Sequence, residues 1–271
     1  MGKQQPVNYT KSFELNKTLW DAKTPFHEQS EFYDNDAFLN GQCTLHEEEI
    51  EAVGAISGKR LLHLQCHFGQ DTLSWARRGA QVTGVDLSEE AIKLARKLSD
   101  RLGLESRFEC CNVLDTRDHV REQFDVVFTS YGTIGWLPNL DPWADVVADS
   151  LVSGGRFVII DFHPFLWMLD SQFEQFHYPY WNRETIEEVE SGTYADTSAP
   201  IELQSHSWNH PLSDLVSALL SKGLVLEVFR EYDYSNYNCF PNMEEFQPGK
   251  WRFQSHGDRI PYMYLYRWRK P

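Results

Sequence analysis

Positive charge is scarce in this chain. Its 271 residues hold 25 lysines and arginines against 40 aspartates and glutamates, a formal charge of −15. A phosphate-rich partner calls for a basic stripe that displaces counterions. The only basic cluster, Arg267, Arg269 and Lys270, reads as a solvated terminus, so nucleic acid is not expected and a small molecule is the better default. Cysteine is sparse too: Cys43, Cys66, Cys110, Cys111 and Cys239 are odd in number, two are adjacent, and none follows a disulfide framework. No apolar run approaches a membrane span. Residues 1–6, Met-Gly-Lys-Gln-Gln-Pro, offer no apolar signal segment, and Pro6 stands where an acylation motif wants Ser or Thr. The expectation is a reduced, cytoplasmic, soluble protein with no membrane partner. Repeats, low-complexity tracts and Pro/Gly/Ser linkers are also missing, which fits one enlarged domain or two small ones.

What is present is an alternation of strand-like and helix-like segments, the pattern of a parallel sheet with crossover helices. Arg60 to Leu64 reads as strand one, Gln81 to Val85 as strand two, Arg107 to Cys111 as strand three. Phe124 to Phe128 reads as strand four, nearly continuous in apolar character as a strand covered on both faces is, and Arg156 to Asp161 as strand five. Helices are expected from Asp71 to Arg78, from Ser88 onward with Ala91, Ile92, Leu94, Ala95 and Leu98 as the apolar stripe, and from Pro142 to Leu151. Residues 163–207 break into an aromatic-rich irregular insertion. A helix from Pro211 to Ser221 and strands at Leu224 to Phe229 and Pro261 to Trp268 follow.

Ligands of doubly wound sheets bind beyond the carboxyl ends of the strands, at the switch point. The loop after strand one reads Gln65-Cys66-His67-Phe68-Gly69-Gln70-Asp71, strand two ends on Asp86, and strand three is followed by Asn112 and Val113. Gly69 permits close backbone approach, a strand-end carboxylate can accept both hydroxyl hydrogens of a ribose, and Asn112 and Val113 are placed for an adenine. Each residue alone reads as turn or packing. Together, after three successive strands, they point to an adenosine-bearing ligand. A nicotinamide oxidoreductase would share Asp86 but lacks its G-x-G-x-x-G at residues 65–70. A non-catalytic adenosine-binding regulator is a further alternative. Cys66, His67 and His63 are close in sequence, but no second ligand pair accompanies them, so no metal is expected.

The run Leu61-Leu62-His63-Leu64-Gln65-Cys66-His67-Phe68-Gly69-Gln70-Asp71-Thr72-Leu73 resembles the first motif of class I S-adenosylmethionine-dependent methyltransferases, of the bacterial small-molecule type. Val82 to Ser88 resembles the second motif, and Phe124 to Val127 and Ser153 to Phe157 the later strand motifs. The resemblance implies an α/β, Rossmann-like, seven-stranded, mostly parallel sheet with helices on both faces and an antiparallel C-terminal strand. It implies S-adenosylmethionine as cofactor and methyl transfer to a small-molecule acceptor. Residues 1–57 become an N-terminal helical lid, 58–162 the cofactor-binding core, 163–207 a substrate cover, and 208–271 the completion of the sheet. The cofactor residues implied are Tyr33, Gln65, Cys66, His67, Gly69, Gln70, Asp86, Leu87, Asn112, Val113, Ser130 and Tyr131. The family's first-strand acid, which contacts the methionine amino group indirectly, aligns with His63, and its first two loop glycines with Gln65 and His67. The bulkier loop is expected to avoid glycine-type angles at Gln65 and His67.

The acceptor should lie over strands four and five. Trp136, His163, Trp167, Tyr194 and His210 are its expected contacts, among other aromatics such as His177, Tyr178, Tyr180, Trp181 and Trp208 that read mostly as core. A sulfonium methyl is already activated, so placement matters more than side-chain chemistry. A base is needed only for a protonated nucleophile, and His163 or His210 could serve; Tyr131 and His163 are the catalytic candidates. From the leading segment Trp20, His27, Tyr33, Phe38 and His46 form the inward-facing set.

Overall fold

The structure, a computed structural model, describes residues 9–271; the readings made for residues 1–6 lie outside them. In chain order the helices are α1 (Thr10–Gln29), α2 (Asn35–Leu39), α3 (Glu47–Val53), α4 (Gln70–Arg77), α5 (Glu89–Leu102), α6 (Thr116–His119), α7 (Leu140–Ser150) and α8 (Leu212–Ser221). The strands are β1 (Arg60–Leu64), β2 (Gln81–Asp86), β3 (Ser106–Cys110), β4 (Phe124–Ser130), β5 (Leu151–Phe162), β6 (Ile186–Ser191), β7 (Glu202–Ser207), β8 (Val225–Tyr232), β9 (Met243–Gln247), β10 (Lys250–Phe253) and β11 (Met263–Arg269). Seven strands form one sheet in the order β3-β2-β1-β4-β5-β11-β8. β1, β2, β3, β4 and β5 run parallel, while β11 is antiparallel to both β5 and β8. This is the Rossmann-like sheet with an antiparallel C-terminal strand.

The central strands are apolar throughout because both faces are covered. Leu62, Leu64, Val127, Phe157 and Ile159 meet Trp143 and Val147 of α7 and Leu215 and Leu219 of α8. Their neighbours Leu61, Val126, Phe128, Val158 and Ile160 face the other way, onto Val53 of α3 and Trp75 of α4. Helix α5 follows its sequence pattern closely. Ser88 caps it by accepting a hydrogen bond from the Ala91 N–H, and Ala91, Ile92, Leu94, Ala95 and Leu98 are buried. A cap of this kind contributes about 1 kcal/mol.

Two hairpins depart from the sequence expectation. Residues 163–207 are not simply irregular, since β6 and β7 pair antiparallel within them. A second hairpin, β9 with β10, occupies the stretch between β8 and β11. The first is docked on α1: Asn16 exchanges hydrogen bonds with the His206 backbone at 2.8 and 2.9 Å, and Ser12 Oγ lies 2.9 Å from His206 Nδ1. Buried Lys23 of α1 also pairs with Glu190 of β6. No helix among the described residues is long and apolar enough to cross a membrane.

Candidate active site

The chain order of the sheet reverses between β1 and β4, which opens a crevice beyond their carboxyl ends. A cavity of about 1120 Å³ lies there, walled also by α1, the segment before α2, the β6–β7 hairpin and residues near 237–240. Small-molecule sites usually enclose about 300–1,000 Å³, so this one has room for more than a single ligand.

Its floor is the loop after β1. Gly69 has φ +78°, and a Cβ there would sit 2.7 Å from the Phe108 ring. Gly84, in the middle of β2, is equally crowded: a Cβ would meet Phe108 at 2.7 Å and Cys66 Sγ at 2.8 Å. The loop therefore lies flat against β2 and β3 only because both positions lack a side chain. Gln65 and His67 do not avoid left-handed angles as expected. Their φ values are +57° and +50°, a region open to L-residues at a cost of about 1 kcal/mol each. Gln65 Nε2 donates to the Thr133 carbonyl at 2.8 Å, and His67 Nε2 lies 2.9 Å from His27 Nδ1 on α1.

Asp86 closes β2 and braces the loop. One carboxylate oxygen accepts from the His67 N–H at 2.7 Å, the other from the Ser88 N–H at 2.9 Å. Burial pushes its carboxyl up to about 6, against the pull of these N–H groups. Asn112 Oδ1 accepts from the Leu114 N–H at 3.0 Å, leaving its NH₂ for a ligand acceptor.

The cavity wall includes all the residues expected for the cofactor, from Tyr33 on the N-terminal segment to Ser130 and Tyr131 after β4. They differ in what they can offer. Gln70 donates to the Tyr33 carbonyl and to Asn35 Oδ1, so it chiefly docks the N-terminal segment. The hydroxyls of Tyr33 and Tyr194 are hydrogen-bonded to each other across the cavity. Tyr131 has φ +46°, its hydroxyl accepts from Asn236 Nδ2 at 3.0 Å, and burial raises its pKa well above the usual phenol.

Of the expected acceptor contacts, Trp136, Trp167, Tyr194 and His210 line the cavity. His163 does not. Its Nδ1 accepts from the Phe165 N–H at 3.0 Å and its Nε2 is 3.0 Å from Glu231 Oε1, so neither nitrogen is left to move a substrate proton. His210 donates from Nε2 to the Leu137 carbonyl at 2.6 Å, which keeps the lone pair on Nδ1. Within the leading set Trp20, Tyr33 and His46 line the cavity, His27 supports His67 from behind, and Phe38 packs in the α5 core.

Sequence reasoning gave no role to Asp161 or Asp71. Asp161, next to last in β5, accepts from the N–H groups of Gly132, Thr133, Ile134 and Phe162 and from the Thr133 hydroxyl. It thereby fixes the loop that carries Ser130, Tyr131 and Trp136. Asp71 accepts from Thr44 Oγ1 at 2.6 Å and Ser130 Oγ at 3.1 Å. Its sequence signals were its place at the end of the loop after β1 and in the first turn of α4. Among the described residues no group of His, Cys, Asp and Glu is arranged to hold a metal ion.

A family model described as a methyltransferase domain matches residues 61–155. A ubiquinone biosynthesis O-methyltransferase from Idiomarina loihiensis is 33% identical over 99 residues, 36% of this chain and 40% of that protein. The chain spans under two thirds of the length of the curated relatives it matches. A putative S-adenosylmethionine-dependent methyltransferase from Listeria monocytogenes shares the fold at TM-score 0.56 and 18% identity, over 83% of this chain and 96% of that one. The glycopeptide N-methyltransferase MtfA, complexed with S-adenosylmethionine, does so at TM-score 0.51 and 16% identity, over 83% and 92%. Residues 61–155 are thus similar to a methyltransferase domain, and the sheet shares its fold with a methyltransferase solved in complex with S-adenosylmethionine. The residues present suit it: Asp86 offers a carboxylate to a ribose diol, Asn112 an amide to an adenine edge, and Gly69 an open approach to the loop.

Proposed function

We propose that this chain is an S-adenosylmethionine-dependent methyltransferase acting on a small acceptor that carries a flat, apolar ring. The observation that carries the reading is one cavity with two unlike ends. Asp86, Asn112 and the loop after β1 line one end, while Phe162, Trp167 and Phe240 make edge-to-face contacts at the other. Rings in such arrangements favour an aromatic guest, and the relative named as an O-methyltransferase makes a hydroxyl on such a ring the first acceptor to try.

The cofactor, when bound, supplies a methyl group already activated on a sulfonium. The protein's part is placement. Asp86, Asn112 and the loop hold the adenosine end, and the aromatic wall orients the acceptor and excludes water. Tyr131 stays protonated and serves as a hydrogen-bond partner. His210 Nδ1 is the lone pair available to take a proton from a hydroxyl acceptor, and burial keeps this imidazole neutral by lowering its pKa. Calorimetric titration with S-adenosylhomocysteine, followed by transfer of labelled methyl from S-adenosylmethionine onto phenols, amines and thiols, tests the proposal. Saturable binding and label on a ring-bearing acceptor are expected. A protein that binds no S-adenosylhomocysteine would refute it.

A further inference from the structure

The cavity holds little positive charge. Lys23 is the one lysine or arginine among its described lining residues, and it is already paired with Glu190. His46, His63, His67 and His210 are held neutral by burial. Three aspartates at the strand and helix ends line the same space, and they are not equally provided for. Asp161 takes four N–H groups and a hydroxyl, and Asp86 takes two backbone N–H groups. Asp71 has only the hydroxyls of Thr44 and Ser130. Two neutral hydroxyls only partly offset a half-buried carboxylate; a cation would complete the pairing.

The position of this charge follows from strand β1. Residue 63, next to last in β1 and just before the loop, is a buried, neutral histidine. Its Nδ1 is 2.8 Å from Thr72 Oγ1, and its Nε2 lies 3.5 Å from Ser130 Oγ. That same hydroxyl donates to Asp71. A carboxylate thus stands one hydroxyl further out from this neutral ring, at the start of α4 and on the cavity wall. Gln65 adds a second acceptor on the same loop, because its Oε1 is buried and without a partner. We propose that Asp71, seconded by Gln65 Oε1, binds the ammonium of the cofactor's amino-acid portion. The proposal rests on the methyltransferase reading.

Two probes separate it from that reading. S-Adenosylhomocysteine carries the ammonium, whereas 5′-methylthioadenosine shares the adenosine and thioether but lacks the amino-acid portion. Both are titrated calorimetrically into the wild-type protein and Asp71→Asn. Loss of one charged hydrogen-bonded contact should weaken S-adenosylhomocysteine about 10- to 100-fold while leaving 5′-methylthioadenosine unchanged, which also shows that the variant is folded. Equal weakening of both probes would make Asp71 a structural brace and overturn the proposal. So would unchanged affinity for S-adenosylhomocysteine. A wild-type protein that binds neither probe would overturn the methyltransferase reading and this proposal with it.

Discussion

Acidification should release the nucleoside from this protein while it is still folded, and Asp86 is the reason. A ribose diol donates two hydrogens, so its partner must be an ionised carboxylate. Protonation removes an acceptor and adds a competing donor. Burial sets the Asp86 carboxyl at about 6. At that value the ionised share falls from about nine tenths at neutral pH to about one tenth a unit below the midpoint, roughly a tenfold loss of affinity, or about 1.4 kcal/mol. S-Adenosylhomocysteine has no group of its own titrating in this interval, and the cavity histidines are already neutral. The assay is calorimetric titration of S-adenosylhomocysteine at half-unit steps from neutral pH to about one unit below the Asp86 midpoint. Stability moves the other way. A folded pKa raised above the unfolded 3.8 means the unliganded protein gains stability from this group as pH falls through about 6 toward 3.8. Weaker binding with no matching loss of folded protein is the expected signature. Asp86→Ala should bind at least about 100-fold more weakly, since charged hydrogen bonds contribute about 1.5–3 kcal/mol each, and should lose the share of the pH dependence that Asp86 contributes in this window. Constant affinity from neutral pH to below the midpoint in the wild-type protein would refute the assignment of Asp86 to the ribose.

His63 is buried, neutral and held at about 3 by its burial, against an unfolded 6.5. Its contribution to stability is complete above 6.5 and is lost as pH falls toward 3, at about 1.4 kcal/mol per pH unit. Buried carboxylates oppose this trend, so the test is a difference. The gap in urea-unfolding free energy between wild type and His63→Gln should close by that amount per unit below 6.5, and a gap independent of pH would refute the argument. Asp161→Asn places an NH₂ group among the N–H donors of Gly132, Thr133 and Ile134. Unsatisfied buried donors cost about 1–3 kcal/mol each, so a loss of roughly 3 kcal/mol in urea unfolding, together with weaker S-adenosylhomocysteine binding, is expected. A loss under about 1 kcal/mol would show that the loop does not depend on this anchor.

The sheet was legible because its signals are local. β1, β4 and β5 are apolar on both faces, and Ser88 announces α5. The hairpin β6–β7 was hidden because Ile-Glu-Glu-Val-Glu-Ser and Glu-Leu-Gln-Ser-His-Ser carry little apolar alternation. Its order comes from Asn16 and Lys23, more than 160 residues earlier in the chain. The site divides along the same line. Asp86 and Asn112 could be read because one ends β2 and the other closely follows β3, strands in a known order. Asp161 and Asp71 could not, since their importance lies in which distant N–H and hydroxyl groups they meet. His163 failed as a base because Glu231 and the Phe165 N–H, invisible as neighbours in the sequence, already hold its ring.

The loop after β1 is where these two kinds of information meet. Glycine at positions 65 and 67 would adopt the left-handed backbone freely. Gln65 and His67 adopt it at about 1 kcal/mol each, and their side chains supply what glycine has none of. Gln65 ties the loop to the Thr133 carbonyl after β4, and His67 ties it to His27, which Trp20 flanks at 6.1 Å on the same helix. The strain is thus offset by contacts to two other elements. A glycine loop would stand by itself. This one needs α1 in place and, through Asn16 and Lys23, the β6–β7 hairpin as well. The floor of the cavity and the hairpin in its wall are therefore joined, through α1, by the residues that made the motif look irregular.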